Sequence, residues 1–151
     1  MTRSEQPEAV AEWLDEIRRE NGDGEAALAE RIVTWSREHG MRDNFTNRHP
    51  NAGVSYWPVL LGVEWEPAPF GLSSVGTDVH LSGETLFKHK PFNMDVNRTK
   101  LVNRVIAIPG AIETPQNIYP RVPLALFAQQ DVWDGFFGTM EWALGLIKRL
   151  G

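Results

Sequence analysis

Four side chains between positions 78 and 88 could do chemistry together: Asp78, His80, Glu84 and Lys88. A metal-dependent nuclease of the restriction-enzyme type needs an acidic residue on one strand and an acidic-x-lysine pair on the next. The carboxylates bind Mg²⁺, and the lysine positions the attacking water or the phosphate. Here Leu86, not a lysine, follows Glu84 two positions later, so the pattern is incomplete. The four residues are candidate catalytic groups of a diverged nuclease, with His80 as a ligand or a base.

Basic and aromatic residues indicate a second kind of site, one that binds a phosphate or a similar ligand. The candidates for this patch are Arg42, Arg48, His49, Trp57, Lys88 and Lys90. Cations beside an aromatic ring are typical of surfaces that bind nucleic acid. The whole chain is acidic, however, with a net charge of −5, which gives no overall attraction to nucleic acid or to an anionic membrane. The alternative is that these residues form a scattered polar rim at strand ends.

Missing residue types and motifs exclude several classes of enzyme. The chain has no cysteine, and therefore no disulfide, thiol nucleophile or thiolate metal site. Its four histidines do not follow the H-x-x-x-H or H-E-x-x-H spacing of zinc sites. It contains no G-x-G-x-x-G or Gly-Lys-Ser/Thr loop and no G-x-S-x-G elbow. We therefore predict no cofactor and no metal ligands, with a divalent cation at the nuclease candidates as the alternative.

Composition bounds the kind of protein. A chain of 151 residues is long enough for one domain with its own core. Its six tryptophans predict a Trp-rich core, and the alternative is a ligand pocket lined by Trp57 and Trp65. No apolar run approaches the roughly 18 residues of a membrane span. The polar N-terminus is unlike a signal peptide, so we expect a cytoplasmic protein that does not contact a membrane.

Two amphipathic helices are predicted at the N-terminus. The first covers residues 4–21, and the second covers residues 25–39 with Asp23 as its N-cap. Gly40 stands where a left-handed residue would end the second helix.

Short strands are predicted next, at residues 54–63, 70–75, 77–82 and 84–88. Pro58 cannot donate a hydrogen bond to a neighbouring strand, which predicts that the first of them lies at an edge or carries a bulge. In the third, Val79 and Leu81 alternate with Asp78, His80 and Ser82, so we expect one apolar and one polar face.

The C-terminal part begins with a helix that Asp95 caps and that Pro109-Gly110 ends. Its apolar residues recur at helical spacing: Val96, Leu101, Val102, Val105 and Ile106. A strand at 122–127 and a last helix from Asp131 to Leu150 follow. Three glycines in that helix are expected to allow close packing: Gly135, Gly138 and Gly145.

The order of these elements, αα-βββ(β)-α-β-α, predicts an α+β fold. We expect a mostly antiparallel sheet of four to five short strands with helices packed on one face. We expect residues 24–151 to form this single domain and residues 1–23 to be a helical extension of it.

The chain also resembles an uncharacterised bacterial domain family with the pattern "LLxRLNxIPG … RPSIPL … LDWxxEEI". The likeness is carried by the segments KLVNRVIAIPG (100–110), PRVPL (120–124) and MEW (140–142). It covers roughly residues 25–150 and is clearest after Pro91. The element order of that family is distantly nuclease-like, so the resemblance implies a DNA-processing or defence setting. Where the family tends to have "VEIQF", this chain has VHLSG, so His80 replaces a glutamate that a Mg²⁺ site would use.

Taken together, these features predict a binding or regulatory module without catalysis of its own. Its partner would be a protein or a nucleic acid, and the sequence leaves its oligomeric state open. One alternative is the diverged metal-dependent nuclease, and another is a binder of a small molecule in a Trp-lined pocket.

Overall fold

The computed structural model describes residues 7–45, 54–60, 63–64, 68–72, 78–113 and 120–149. These residues form an α+β fold, an antiparallel sheet with helices on one face, which confirms the predicted fold class. None of the helices within these ranges is both long enough and apolar enough to cross a membrane.

Helices flank the sheet at both ends of the chain. The α-helices are α1 (Pro7–Asn21), α2 (Asp23–Glu38), α3 (Gly83–Leu86), α4 (Asp95–Ile106) and α5 (Gln130–Lys148). The strands are β1 (Met41–Phe45), β2 (Val54–Leu60), β3 (Val63–Glu64), β4 (Phe70–Leu72), β5 (Asp78–Leu81) and β6 (Arg121–Pro123). A 3₁₀ helix, Leu124–Ala128, joins β6 to α5.

The strands follow the order β1-β2-β4-β5-β6, and β3 pairs with β2. Every described pair is antiparallel, and residues that oppose each other directly share one face of the sheet. The register therefore collects the apolar residues of four strands on a single face. These side chains are fully buried: Tyr56, Phe70, Leu72, Val79, Leu81 and Val122.

Helices α2 and α5 cover this apolar face. The ring of Phe70 lies 6.4 Å from that of Trp35 in α2. It lies 5.5 Å from Phe136 and 5.9 Å from Phe137, both in α5. Helix α4 packs on α5. The predicted Trp-rich core is thus confirmed for the described part of the chain, since Trp13, Trp35 and Trp133 are all buried.

Helix α1 packs on α2. Of the apolar stripe predicted there, Val10, Trp13 and Ile17 are at most 4% exposed and Leu14 is partly buried. The three buried residues belong to the same core cluster as the sheet and the other helices. The division into a helical extension and a domain stays a prediction, which a variant of Trp13 tests below.

The two predicted aspartate caps are displaced by one residue. Asp23 and Asp95 are the first residues of α2 and α4, and the N-caps are Gly22 and Met94 without a side-chain capping bond. A carboxylate in the first turn still interacts favourably with the positive end of the helix dipole. Asp95 also pairs with Arg98 one turn later, which draws its carboxylate away from the capping position.

The predicted helix ends are found close to their expected positions. Gly40 has a φ of 78°, the left-handed conformation that was expected after α2. Helix α4 ends at Ile106, just before Pro109, and Gly110 has a φ of 86°. Asp131 lies inside α5, which begins at Gln130, and its carboxylate accepts a hydrogen bond from the next backbone N–H.

The strand predicted at 84–88 is wrong. This segment begins with the single helical turn α3, in which the backbone N–H of Phe87 donates to the carbonyl of Gly83 at 2.9 Å. Leu86 is fully buried by this turn. Because the chain turns directly after β5, Leu86 packs in the core. A strand at this position would carry Leu86 away from the core.

The strand predicted at 122–127 is too long. Strand β6 ends at Pro123, and the 3₁₀ helix begins at Leu124. Leu124 and Phe127 are both fully buried. Residues three apart point to opposite sides of a strand but to the same side of a 3₁₀ helix, so only the helix buries both.

Pro58 does not mark an edge strand, because β2 lies between β1 and β4. The N–H of Val59 donates to the carbonyl of Gly40 at 2.8 Å, so the nitrogen of Pro58 points away from β1. On the other side, the pairing with β4 ends at Tyr56 and the pairing with β3 begins at Val59. The missing N–H of Pro58 therefore interrupts none of the three described ladders of β2.

The three glycines of α5 differ in their surroundings. A Cβ atom added at Gly135 would lie 3.2 Å from Cγ1 of Ile108, so close packing is confirmed there. At Gly138 and Gly145 such an atom would meet no atom of the described residues within 4 Å, so the prediction is wrong for those two with respect to these residues. No described element needs a glycine at these two positions.

We expect Gly138→Ala to raise the free energy of unfolding by about 0.5–1 kcal/mol, because alanine favours a helix interior. Gly135→Ala is the matched control, and it should gain less because its methyl group would press on Ile108. Urea unfolding of both variants, followed by circular dichroism, measures the difference. A stability loss in Gly138→Ala would show that this position is not open.

Candidate functional site

Three polar side chains meet where β5 pairs with β6. Asp78 and His80 alternate with the buried Val79 and Leu81, as predicted for a two-sided strand. Ser82, expected on the same polar side, lies just beyond the end of β5. Arg121 of β6 directly opposes His80, and its Nε atom lies 3.8 Å from Oδ2 of Asp78. We call Asp78, His80 and Arg121 the polar cluster.

Strand pairing fixes the cluster on the face of the sheet opposite the helices. On its other side His80 opposes Gly71 of β4, which has no side chain. The imidazole therefore has a large basic neighbour on β6 and none on β4. The backbone at these positions is held by ladder hydrogen bonds on both sides of β5. The geometry of the cluster is thus set by the sheet and not by a loop.

Burial favours the neutral form of the imidazole in this cluster. Burial lowers the pKa of His80 below its ordinary value of 6.5, and the nearby Asp78 carboxylate opposes that shift in part. A neutral imidazole has one donor and one acceptor nitrogen. Asp78 and Arg121 remain 29% and 43% exposed, so their pairing adds at most about 1 kcal/mol of stability. The cluster therefore offers a hydrogen-bond acceptor in Asp78, a donor in Arg121, and in His80 a ring that can both donate and accept.

The lowered pKa of His80 predicts a dependence of stability on pH. The unfolded state binds a proton near the ordinary pKa of 6.5, whereas the folded state binds it only at lower pH. The contribution of His80 to the free energy of unfolding therefore has its full value above pH 6.5. It is lost as the pH falls from 6.5 to the pKa of His80 in the folded protein. The slope from one such group is at most about 1.4 kcal/mol per pH unit.

Unfolding by urea between pH 7.5 and 5 measures this dependence, and His80→Gln is the control. The variant should have a shallower slope than the wild type in this range. Equal slopes would show that His80 is not desolvated in the folded protein.

The nuclease candidates are not arranged on neighbouring strands. Asp78 lies on β5, Glu84 lies in α3, and Lys88 is exposed in the turn after α3. The side chain of Glu84 is outside the described part of the chain. Among the side chains that the structure does describe, no three His, Asp or Glu residues are grouped closely enough to hold a metal ion. The metal-dependent nuclease, with a divalent cation at these candidates, therefore stays an untested alternative.

Only some residues of the predicted phosphate patch are among those that the structure describes. Arg42 is half-buried on β1 and opposes Trp57 in the ladder, and Lys88 and Lys90 are exposed after α3. Arg48 and His49, the side chain of Trp57 and the pocket expected near Trp57 and Trp65 lie outside the described residues. By register Arg42 shares a face with the polar cluster, but β2 and β4 separate β1 from β5. Three strand steps of about 4.8 Å across the sheet, with an offset of two residues along the strand, place it roughly 16 Å from His80.

A second surface was not predicted from the sequence. The Nζ atom of Lys100 and the Cζ atom of Arg104 lie 4.9 Å and 5.3 Å from the ring centroid of Trp142. The centroid of the Phe92 ring lies 6.3 Å from that of Trp142, in a T-shaped arrangement. The i, i+4 spacing of the two cations was the available sign of such a surface. Val96, counted with the apolar repeat, is 68% exposed and belongs to this surface and not to the core.

Comparison of the chain with known protein families, with curated proteins and with solved structures finds no match.

Proposed function

We propose that this chain is a binding module without catalysis of its own, that its partner is a protein, and that the polar cluster is its recognition surface. The supporting observation is the geometry of Asp78, His80 and Arg121 on two paired strands. Hydrogen-bonding groups held on rigid strands lose little freedom when they bind, which favours specific recognition.

The mixed charge of the cluster favours a protein partner over a nucleic acid. The cluster combines one carboxylate, one guanidinium and a neutral imidazole, which suits paired polar groups of both signs. A polyanion would be repelled by Asp78 and by a chain with a net charge of −5.

The positions of Glu84 and Lys88 favour binding over the nuclease alternative. They follow β5 in a helical turn and the turn after it, whereas nuclease chemistry would have them on the strand beside Asp78. His80 stands where the resembled bacterial family tends to have a glutamate, which removes one carboxylate from a Mg²⁺ site.

The setting of this function is part of the proposal. We place the protein in the cytoplasm, and a chain without cysteine is compatible with that reducing compartment. The resemblance to the bacterial family supports a bacterial origin and a DNA-processing or defence context.

Partner capture with the full chain tests the proposal. A protein captured from the source organism is purified, and its affinity for the wild type is measured by calorimetry. Arg121→Ala should weaken binding about tenfold or more, because it leaves a partner carboxylate or carbonyl without its donor. Arg18→Ala, which removes another exposed arginine paired with an aspartate, is the matched control and should leave the affinity unchanged.

Two results would contradict the proposal. One is equal affinity of the wild type and Arg121→Ala for every captured protein. The other is tight binding of a short DNA or RNA oligonucleotide that Arg121→Ala abolishes, which would make the cluster a nucleic-acid site.

A further inference from the structure

Helix α4 leaves one side uncovered by any described element. It buries Leu101 and Val105, and it exposes Val96 by 68%. Met94, directly before the helix, is 52% exposed. Within the described ranges, the large apolar residues classed as exposed are these two and Ile112. Two of these three exposed apolar side chains therefore lie at the start of α4.

Two cations continue the same side of the helix. Lys100 follows Val96 after one turn, and Arg104 follows after another, so the three side chains form a stripe. Lys100 and Arg104 contact the ring of Trp142, and neither forms an ion pair with a carboxylate of the described chain. The nearest acid in sequence, Asp95, is paired with Arg98. Contact with the aromatic ring holds the two cations in place without neutralising them.

The stripe borders a shallow, open depression of about 630 Å³ along the exposed side of α4, which we call the α4 groove. Its described lining consists of Asp95, Val96, Thr99, Lys100, Asn103, Arg104 and Ala107. Arg104 and Ala107 also line a second cavity of about 380 Å³, between the C-terminal end of α4 and the first half of α5, where Asp131 and Asp134 lie. An acidic partner helix is therefore expected to contact the Lys100 side of Arg104 and not this cavity. The 12 residues of α4 span about 18 Å, so a partner helix of similar length could lie along the whole of α4.

We infer that the α4 groove is a docking site for an acidic amphipathic helix of a partner protein. Charge complementarity supports this occupant, since two cations one turn apart, neither in an ion pair with a described carboxylate, match two carboxylates one turn apart. Apolar side chains of the same helix would cover Val96 and Met94. The inference does not depend on the polar cluster, which lies on β5 and β6, so each can fail without the other.

A second copy of the chain is the competing occupant. Two copies with a net charge of −5 each repel one another, which disfavours self-association. A partner segment that carries its acidic residues only at the contact avoids this repulsion over most of its surface. This is why we assign the groove to another protein.

The test uses a labelled synthetic helix of about 18 residues, with leucines on one face and glutamate pairs at i, i+4 beside them. A peptide of the same composition in scrambled order is the control for charge alone. Fluorescence anisotropy measures the affinity of the full chain for both. Analytical ultracentrifugation of the chain alone reports self-association.

Two pairs of substitutions are compared. Lys100→Glu with Arg104→Glu reverses the groove cations, and Lys100→Gln with Arg104→Gln removes their charge with less perturbation. The matched control is Arg19→Glu with Arg31→Glu, which makes the same change of charge and also removes a cation from a tryptophan ring, since Arg31 lies 3.9 Å from the centroid of Trp133. Thermal unfolding of each variant shows that it is folded before binding is measured.

The amphipathic peptide should bind at least about tenfold more weakly to either groove variant, and about as well to the control as to the wild type. The scrambled peptide should bind the wild type at least about tenfold more weakly than the amphipathic one. Equal losses in the groove and control variants would overturn the inference, as would equal binding of both peptides. A dimer that the groove substitutions dissociate would also overturn it, because the occupant would then be a second copy.

Discussion

Replacing Phe70 with alanine is expected to lower the free energy of unfolding by about 4 kcal/mol. Phe70 is fully buried at the centre of the sheet. Its ring contacts Trp35 of α2 and both Phe136 and Phe137 of α5, so it joins the sheet to two helices at once. Alanine would leave a cavity among large rings that cannot collapse to fill it.

Urea unfolding, followed by tryptophan fluorescence, measures this loss. Phe87→Ala is the matched control, because Phe87 is only partly buried against the core and should lose less. A loss below about 1 kcal/mol for Phe70→Ala would mean that α2 and α5 do not pack on the sheet as described.

Trp13→Ala is expected to cost about 3 kcal/mol and to leave a single unfolding transition. Trp13 is 1% exposed and belongs to the same core cluster as the sheet residues. If α1 is part of that core, the loss of the Trp13 side chain should destabilise the whole domain. If residues 1–23 are a separate extension, the effect stays local.

A chain that begins at residue 24 gives the comparison for this prediction. It should unfold at a lower urea concentration than the full chain, because it exposes the face of α2 that α1 covers. Equal midpoints for the two chains would support the division into an extension and a domain. They would contradict the shared core.

The helices and the fold class could be predicted from the sequence because they follow from local patterns. The apolar stripes of α1 and α5 mark helices whatever their neighbours are. The short elements could not be predicted in the same way. Leu86 is buried by a single helical turn because β5 ends beside the core, and Pro58 is tolerated inside β2 because β4 ends beside it. Both depend on where other strands stop.

The polar cluster was predicted in part, for the same reason. The alternation of apolar and polar residues within β5 indicated Asp78 and His80 as a polar pair. Arg121 was missed because it joins them only through the pairing of β5 with β6, which no local pattern encodes. The α4 groove was missed because helical periodicity identifies the apolar residues of a helix but does not show which of them a neighbouring element covers. Val96 therefore looked like a core residue, and Trp142 comes from a different helix.

Binding at the polar cluster and metal chemistry at the same strand make opposite demands on Asp78. As a recognition group, its carboxylate pairs with Arg121 and is available to a partner. As a metal ligand, it would need further carboxylates close to it. A bound metal ion would stabilise the folded state by mass action, because it binds the folded protein in preference to the unfolded one.

Thermal unfolding of the full chain in the presence of Mg²⁺, Mn²⁺ or Zn²⁺, compared with the same titration of Asp78→Ala, is therefore the most direct test. We predict that no metal raises the unfolding temperature of the wild type more than that of the variant. A rise that is specific to one metal and absent in Asp78→Ala would contradict the binding-module account. It would establish a metal site at β5 and favour the nuclease alternative.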